Sequence, residues 1–225
     1  MNAVSRKPNS DGHELLRAAM VERLRDTYKI ADERVLEVMG HLPRQRFVPE
    51  ALKSQAYRDG ALPIARKQTI SQPFIVARMT ELLELTGDEK VLEIGAGTGY
   101  QTAILASLAR KVFTIERLGG LAAEADERLR GLGFRNISIR TADGTEGWQT
   151  YAPFDSVLVA AGSPSMPQPL LDQLKVGGRL VIPIGEKQQS QRLVRVIRSE
   201  TGFEQMDFGP CAFVPLIGEH GWKDE

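Results

Sequence analysis

The chain has 225 residues, which suits one domain or one domain with a small extension. Apolar residues make up 42% and charged residues 26% of the chain, so it can bury an ordinary core. Lys plus Arg equals Asp plus Glu at 29 each, and this balance favours neither nucleic acid nor an anionic membrane as a partner.

The single cysteine, Cys211, cannot form an intrachain disulfide, which is consistent with a reducing compartment. The polar segment 1–12 lacks the apolar run of a signal peptide and is predicted to be disordered. No apolar run approaches the roughly 20 residues that span a bilayer. These features predict a cytoplasmic protein without membrane segments.

Helices are predicted throughout the first part of the chain. Apolar residues recur at helical spacing over 14–28, and a second short helix is expected over 32–41 with Asp32 as its N-cap. A later helix is expected to begin near Pro73, because proline lacks the N–H that would be unpaired in a first turn. Gly87 is expected to end that helix.

The central part of the chain alternates strands with helices. The predicted strands cover 90–94, 111–115, 136–141, 154–161 and 179–184, and the predicted helices 100–108, 118–132 and 167–174. This rhythm predicts an α/β fold with a doubly wound, mostly parallel sheet and helices on both faces. Two further strands, over 192–199 and 203–216, are expected to add an antiparallel edge.

The chain is therefore predicted to hold one domain after the disordered start. That domain covers 13–225 and divides into a helical N-terminal part, a cofactor-binding core and C-terminal strands, over 13–88, 89–185 and 186–225.

A glycine-rich turn follows the first predicted strand of the core. Gly95, Gly97 and Gly99 alternate there, and a side chain at any of them would keep the main chain away from a bound ligand. Glu116 ends the next strand, about 20 residues further on, which is typical of a βαβ unit that offers a carboxylate to a ribose. The sequence thus predicts an adenosine-bearing cofactor. Tight packing without a ligand is the alternative, and the absence of a Gly-x-Gly-x-x-Gly pattern makes a dinucleotide less favoured.

Two more acids lie near this turn. Glu93 stands in an otherwise apolar strand directly before it, and a carboxylate at the end of a parallel strand is expected to point toward the ligand crevice. Asp143 follows the third strand and could accept a hydrogen bond from an adenine amino group. Each has a plain structural alternative, a salt-bridged strand end for Glu93 and an ordinary Asp-Gly turn for Asp143.

Ser71 receives only an N-cap role from its residue type and position. The three histidines, His13, His41 and His220, are scattered along the chain, and no Gly-x-Ser-x-Gly elbow exists, so a Ser-His-Asp hydrolase is poorly supported. No cluster of His, Cys and Asp has metal-ligand spacing, and no metal is predicted.

Several longer motifs combine in this chain, from about residue 31 to the C-terminus. They are Arg46-Phe47-Val48-Pro49, Ala61-Leu62-Pro63-Ile64, Gln68-Thr69-Ile70-Ser71-Gln72-Pro73, Val91-Leu92-Glu93-Ile94-Gly95-Ala96-Gly97-Thr98-Gly99-Tyr100 and Phe213-Val214-Pro215-Leu216. With these motifs the chain resembles the protein-L-isoaspartate O-methyltransferase family. The glycine motif occurs in many methyltransferases, whereas the Thr-Ile-Ser-Gln-Pro and Phe-Val-Pro-Leu elements are much more specific to this family.

The resemblance implies a seven-stranded Rossmann-like methyltransferase sheet and S-adenosyl-L-methionine as methyl donor, with S-adenosyl-L-homocysteine as product. The methyl group would go to the free carboxylate of isoaspartyl residues in damaged proteins, and the ester would then collapse to a succinimide. The implied partners are isoaspartyl peptides and damaged proteins, without nucleic acid or membrane, and the chain is expected to be a monomer.

The resemblance also implies roles for individual residues, with Ser71 as the catalytic one. The implied cofactor-binding residues are Thr69, Ile70, Glu93, Gly95, Ala96, Gly97, Thr98, Gly99, Glu116, Arg117, Asp143 and Gly144. The implied substrate-binding residues are Pro63, Ile64, Ser71, Gln72, Phe213 and Val214.

Two departures from the family pattern flank the expected substrate site. Ala65-Arg66-Lys67 stands where a glycine-rich piece is usual, and Ala212 stands where bacterial members commonly have an arginine. These departures are expected to affect substrate preference more than the fold or cofactor binding. A class I methyltransferase for another carboxylate or a small molecule is therefore the main alternative. A non-catalytic cofactor-binding module and an NAD-linked dehydrogenase are the others.

Overall fold

The computed structural model describes residues 12–187 and 190–224. The segment 1–12, which is predicted to be disordered, lies outside these described residues except for Gly12. In the part described, the helices are α1 (Glu14–Asp26), α2 (Glu33–His41), α3 (Pro73–Glu81), α4 (Tyr100–Leu108), α5 (Gly119–Gly131) and α6 (Gln168–Asp172). None of these described helices is both long enough and apolar enough to cross a membrane.

The strands form a small hairpin and one large sheet. The hairpin consists of β1 (Leu62–Pro63) and β2 (Thr69–Ile70). The large sheet consists of β3 (Lys90–Ile94), β4 (Lys111–Glu116), β5 (Ile137–Thr141), β6 (Phe154–Val159), β7 (Leu174–Lys187), β8 (Ser190–Arg198) and β9 (Phe203–Cys211).

The large sheet has the strand order β5-β4-β3-β6-β7-β8-β9. The pairs from β5 to β7 are parallel, and β8 and β9 add antiparallel pairs at one edge. This confirms the predicted doubly wound, mostly parallel seven-stranded sheet with its antiparallel C-terminal edge. The chain order reverses between β3 and β6, and in open α/β sheets such a point opens a crevice at the carboxyl ends of the strands.

Two apolar cores cover the two faces of this sheet. Successive side chains of a strand point to opposite faces, and both faces of a parallel sheet are buried. In β3, Val91 belongs to the core that contains the N-terminal helices and α4, whereas Leu92 belongs to the core that contains α6. The predicted helical extension at the N-terminus is thus packed on one face of the sheet. The division of the chain at residues 88 and 185 stays a prediction.

Helix ends agree with the sequence at some places and differ at others. Asp32 caps α2 as predicted, because its carboxylate accepts hydrogen bonds from the N–H groups of Arg34 and Val35. The prediction that Gly87 ends α3 is wrong. The helix ends at Glu81, and Glu84 already has left-handed backbone angles with φ 49°.

Arg44 is a fully buried cation that joins the N-terminal layer to the end of β2. Its Nε donates to the carbonyl of Ala56 at 2.7 Å, and its Nη2 donates to the carbonyl of Ser71 at 2.8 Å. The guanidinium also lies 4.6 Å from the ring centroid of Tyr100. Burial lowers the pKa of Arg44, and no carboxylate pairs with it in the described ranges. The two carbonyls and the ring therefore offset the cost of burying its charge.

We expect Arg44→Met to lower the free energy of unfolding by about 2–5 kcal/mol, because the carbonyls of Ala56 and Ser71 would lose their donor. Urea denaturation measures the change, with exposed Arg58→Met as the matched control. An unchanged unfolding free energy in the Arg44 variant would mean that this cation does not hold the two segments together.

Candidate active site

A cavity of about 460 Å³ lies at the carboxyl ends of β3, β4 and β6, and the chain order of the sheet reverses between β3 and β6. Its volume is in the range of small-molecule sites. The β1–β2 hairpin, the glycine turn after β3 and the C-terminal segment all contribute to its lining. Of the predicted site residues, the lining contains Thr69, Ile70, Ser71, Gly95, Ala96, Gly97, Thr98, Glu116, Arg117, Gly144 and Val214.

The glycine turn has the left-handed geometry that its sequence predicts. Gly95, Gly97 and Gly99 have φ values of 92°, 53° and 86°, which favour glycine at all three positions. A Cβ on Gly97 would meet no atom within 4 Å, so the bare main chain faces open space there. Gly99 differs, because its Cβ would lie 3.1 Å from the side chain of Leu129. Gly99 therefore allows α4 and α5 to pack closely and does not line the cavity.

Glu116 ends β4 and is only 7% exposed. Its Oε2 accepts a hydrogen bond from the N–H of Gly97 at 2.9 Å, and its Oε1 accepts one from the N–H of Leu118 at 3.0 Å. A carboxylate has about four lone-pair positions, so acceptor capacity remains for a pair of hydroxyl groups. The prediction from spacing placed Glu116 near the glycine turn, and the structure adds a direct hydrogen bond between the two.

Glu93 does not line the cavity, so its predicted orientation toward the ligand crevice is wrong. Side chains alternate along β3, and since Ile94 faces the cavity, Glu93 faces away from it. Its carboxylate is fully buried and accepts a hydrogen bond from the hydroxyl of Thr102 at 2.6 Å. Burial raises the pKa of Glu93 to about 7.

Asp143 uses its carboxylate within the protein. One oxygen accepts hydrogen bonds from the N–H and the hydroxyl of Thr145, and the other accepts from the N–H of Glu219 at 2.7 Å. Although burial opposes the change, these hydrogen bonds lower the pKa of Asp143. Only its neighbour Gly144 reaches the cavity lining. The structure therefore brings the main chain of this turn to the site and ties the Asp143 side chain to the C-terminal segment.

Ser71 lies at the end of β2 and lines the cavity. The prediction that it caps α3 is wrong, because Gln72 holds the N-cap position and no side chain caps this helix. The Ser71 hydroxyl has no hydrogen-bond partner among the residues that the structure describes. Its carbonyl is held by Arg44. The backbone of Ser71 is thus fixed while its hydroxyl remains available at the cavity wall.

Four residues predicted to bind substrate lie outside this lining. Gln72 donates to Asp59 at 2.8 Å, and the backbone N–H of Phe213 donates to the side chain of Gln191 at 2.7 Å. Pro63 is exposed in β1, and Ile64 lines an adjoining cavity of about 240 Å³ together with Gly97 and Thr98.

The cavity also has lining residues that motif reasoning missed. Lys223 and Asp224 come from the C-terminal tail, and Arg117 pairs with Asp224 at 3.0 Å. No local pattern predicts a contact between segments so distant in the chain. Arg66 and Lys67 line the cavity as well, and their only sequence signal is their departure from a glycine-rich piece.

The buried Glu93 makes stability depend on pH in a specific direction. Its pKa is about 7 in the folded chain against an ordinary 4.5, so between these values unfolding releases a proton. The free energy of unfolding then falls as the pH rises through this window, by roughly 3 kcal/mol for this group, and levels off above it. We expect Glu93→Gln to remove this dependence while keeping an acceptor for Thr102.

Urea denaturation of both proteins between about pH 5 and pH 8 tests this expectation through the difference between the two curves. Parallel curves would show that the carboxyl of Glu93 titrates in its ordinary range in the folded chain.

Comparison with known proteins gives one consistent family. The sequence profile of the Protein-L-isoaspartate(D-aspartate) O-methyltransferase (PCMT) family matches residues 16–221. Protein-L-isoaspartate O-methyltransferase 1 of Syntrophobacter fumaroxidans is 54% identical over 207 residues, covering 92% of this chain and 96% of the relative. Protein-L-isoaspartate O-methyltransferase 2 of Geotalea uraniireducens is 50% identical over 213 residues, covering 94% of this chain and 98% of the relative.

Solved structures agree with this result. A protein-L-isoaspartate O-methyltransferase structure matches with a TM-score of 0.82 at 26% identity, over 91% of this chain and 67% of that chain. A Plasmodium falciparum structure described as a beta-aspartate methyltransferase in complex with S-adenosyl-L-homocysteine matches with a TM-score of 0.77, over 89% of this chain and 98% of that chain. Its identity is 23%, so that likeness bears on the fold alone. The profile match and the two bacterial relatives show that this chain belongs to the protein-L-isoaspartate(D-aspartate) O-methyltransferase family.

Proposed function

We propose that this chain transfers a methyl group from S-adenosyl-L-methionine to the free carboxylate of isoaspartyl residues, with Ser71 orienting that carboxylate. The chain is an S-adenosyl-L-methionine-dependent protein carboxyl methyltransferase, and the ester that it forms starts repair through a succinimide. The observation that carries the residue assignment is one cavity that Ser71 and Glu116 both line, with the Ser71 hydroxyl free of hydrogen-bond partners among the described residues.

The cavity fits the cofactor in its shape and donor set. The bare main chain at Gly97 faces open space that a side chain would fill, and Glu116 keeps acceptor positions for ribose hydroxyls. We assign cofactor binding to the lining residues of the two strand ends and the hairpin, namely Thr69, Ile70, Gly95, Ala96, Gly97, Thr98, Glu116, Arg117 and Gly144. When bound, S-adenosyl-L-methionine supplies an activated methyl group on a sulfonium.

The substrate carboxylate needs positioning and no strong base. A carboxyl group has a pKa near 4 and is ionised at neutral pH, so no proton has to be removed from the nucleophile. The Ser71 hydroxyl can donate a hydrogen bond to one carboxylate oxygen and leave the other free to react. Alignment of two bound reactants contributes about 7–11 kcal/mol at its upper range, so a residue that only orients can still change the rate strongly.

We expect Ser71→Ala to lower kcat/KM for an isoaspartyl peptide by about 10- to 100-fold, which corresponds to the loss of one hydrogen bond to a charged group. Affinity for S-adenosyl-L-homocysteine should remain nearly unchanged. Radiolabelled methyl transfer and calorimetry give the two readouts. The exposed Ser54→Ala serves as the control, and an aspartyl peptide of the same sequence reports substrate identity. Equal loss of transfer and affinity in Ser71→Ala would give this serine a structural role.

We expect Glu116→Ala to weaken S-adenosyl-L-homocysteine binding by about 10- to 100-fold, since charge-assisted hydrogen bonds to the ribose would be lost. The turn at Gly97 also loses its acceptor. Calorimetry measures the affinity, and exposed Glu37→Ala is the matched control. Wild-type affinity in the Glu116 variant would contradict the assignment of this residue to the cofactor.

The remaining proposals concern binding partners, oligomeric state and cellular location. We propose a cytoplasmic monomer that acts on damaged proteins and binds no nucleic acid. The single cysteine fits a reducing compartment, and the zero net charge provides no bulk attraction to nucleic acid. A related methyltransferase for another carboxylate would share the cofactor residues. It would be distinguished by equal methylation of the isoaspartyl and aspartyl peptides.

A further inference from the structure

Arg66 and Lys67 form a pair of consecutive left-handed residues at the tip of the β1–β2 hairpin. Their φ values are 61° and 57°, in the region that glycine adopts freely and other residues adopt at a cost. The chain thus keeps a glycine-like backbone here while it carries two long cationic side chains. Backbone strain that persists beside a cavity points to a functional use of the strained residues.

Both side chains lie at the mouth of the cavity. Arg66 and Lys67 are exposed, and both belong to the cavity lining. Arg66 extends from the hairpin to the start of α5, where a Cβ added to Gly120 would lie 2.1 Å from its Nη2. Arg66 therefore reaches from the hairpin to α5, and Lys67 follows it at the tip of the hairpin.

No acidic side chain in the described part of the chain pairs with Arg66 or Lys67. The other cationic lining residues have acidic partners, since Arg117 pairs with Asp224 at 3.0 Å and Lys223 pairs with Glu219 at 3.3 Å. Within residues 12–187 and 190–224, neither Arg66 nor Lys67 forms an ion pair. We call Arg66 and Lys67 together the rim. Because the chain as a whole has a formal net charge of zero, the rim is a local excess of positive charge.

The anion that fits this rim is one that keeps its charge. The reacting carboxylate becomes a neutral ester, so a cation beside it would stabilise the bound reactant more than the transition state. A neighbouring Asp or Glu of the peptide remains ionised throughout, and its attraction to the rim aids binding without opposing the chemistry. Exposed Arg and Lys side chains also adapt to such a partner at the rim.

We propose that Arg66 and Lys67 recognise an acidic side chain that flanks the isoaspartyl residue, and that they give this chain a preference for acidic damaged sites. This inference rests on the proposed entry of the peptide carboxylate at Ser71. It names the peptide sequence context that the site selects.

The test compares isoaspartyl peptides that carry Glu, Gln or Lys beside the isoaspartate, on either side. For the wild type we expect kcat/KM to be about three- to tenfold higher with Glu than with Lys at the better of the two positions, as expected for two exposed charge pairs. The preference should shrink as salt rises. Calorimetry of peptide binding in the presence of S-adenosyl-L-homocysteine provides a readout that does not depend on turnover.

Two double variants of Arg66 and Lys67 test whether their charges cause the peptide preference. Arg66→Gly with Lys67→Gly removes the charges and suits the left-handed backbone, so the ratio between Glu and Lys peptides should approach one. Arg66→Glu with Lys67→Glu should invert the ratio. Lys29→Gly is the matched control, because Lys29 is an exposed lysine with φ 55° that does not line the cavity.

Equal kcat/KM for the Glu and Lys peptides in the wild type would overturn the inference. So would rim variants that weaken S-adenosyl-L-homocysteine binding while the peptide ratio stays unchanged, since the cations would then act on the cofactor. Failure of the wild type to methylate even the Gln peptide would instead contradict the proposed function, and this outcome is separate from the other two.

Discussion

The hydrogen bond from the N–H of Gly97 to the carboxylate of Glu116 is the contact on which the proposed cofactor site depends. It joins the glycine turn after β3 to the end of β4, and the N–H of Leu118 holds the second oxygen of the same carboxylate. Two donors from different segments leave the carboxylate little freedom to rotate. A ligand that binds there meets an acceptor already in position, so less ordering is required when it binds.

The part of the cavity that we assign to the substrate is organised by a different buried charge, that of Arg44. Arg44 holds the carbonyl of Ser71 from inside the N-terminal layer, and its own burial is compensated by a second carbonyl and the face of Tyr100. The serine backbone is thereby fixed to the folded body while its hydroxyl faces the cavity. The N-terminal layer thus supports the proposed position of Ser71 through Arg44, which follows α2, and Val76 of α3 lines the main cavity itself.

Charge is distributed so that each part of the cavity has its own electrostatic character. Glu116 is an acceptor deep in the wall, whereas Arg66 and Lys67 stand at the mouth without acidic partners in the described chain. Arg117 and Asp224 neutralise each other where the tail meets the end of β4. The described mouth of the cavity therefore carries positive charge, whereas the wall beside the glycine turn carries the negative charge of Glu116.

Sequence patterns were enough to predict the strand and helix rhythm of residues 90–184, the glycine turn and the acid at residue 116, because these features depend on local periodicity and on glycine backbone freedom. The Thr-Ile-Ser-Gln-Pro and Phe-Val-Pro-Leu motifs identified the family, but they did not say which of their side chains line the cavity. Sequence patterns could not predict that Ile94 faces the cavity and Glu93 does not, because this depends on which face of β3 each packed layer covers. It also brought the tail to Arg117 and placed the Arg66-Lys67 pair at the mouth. Contacts between segments distant in the chain depend on how the layers pack, and a local pattern does not contain that information.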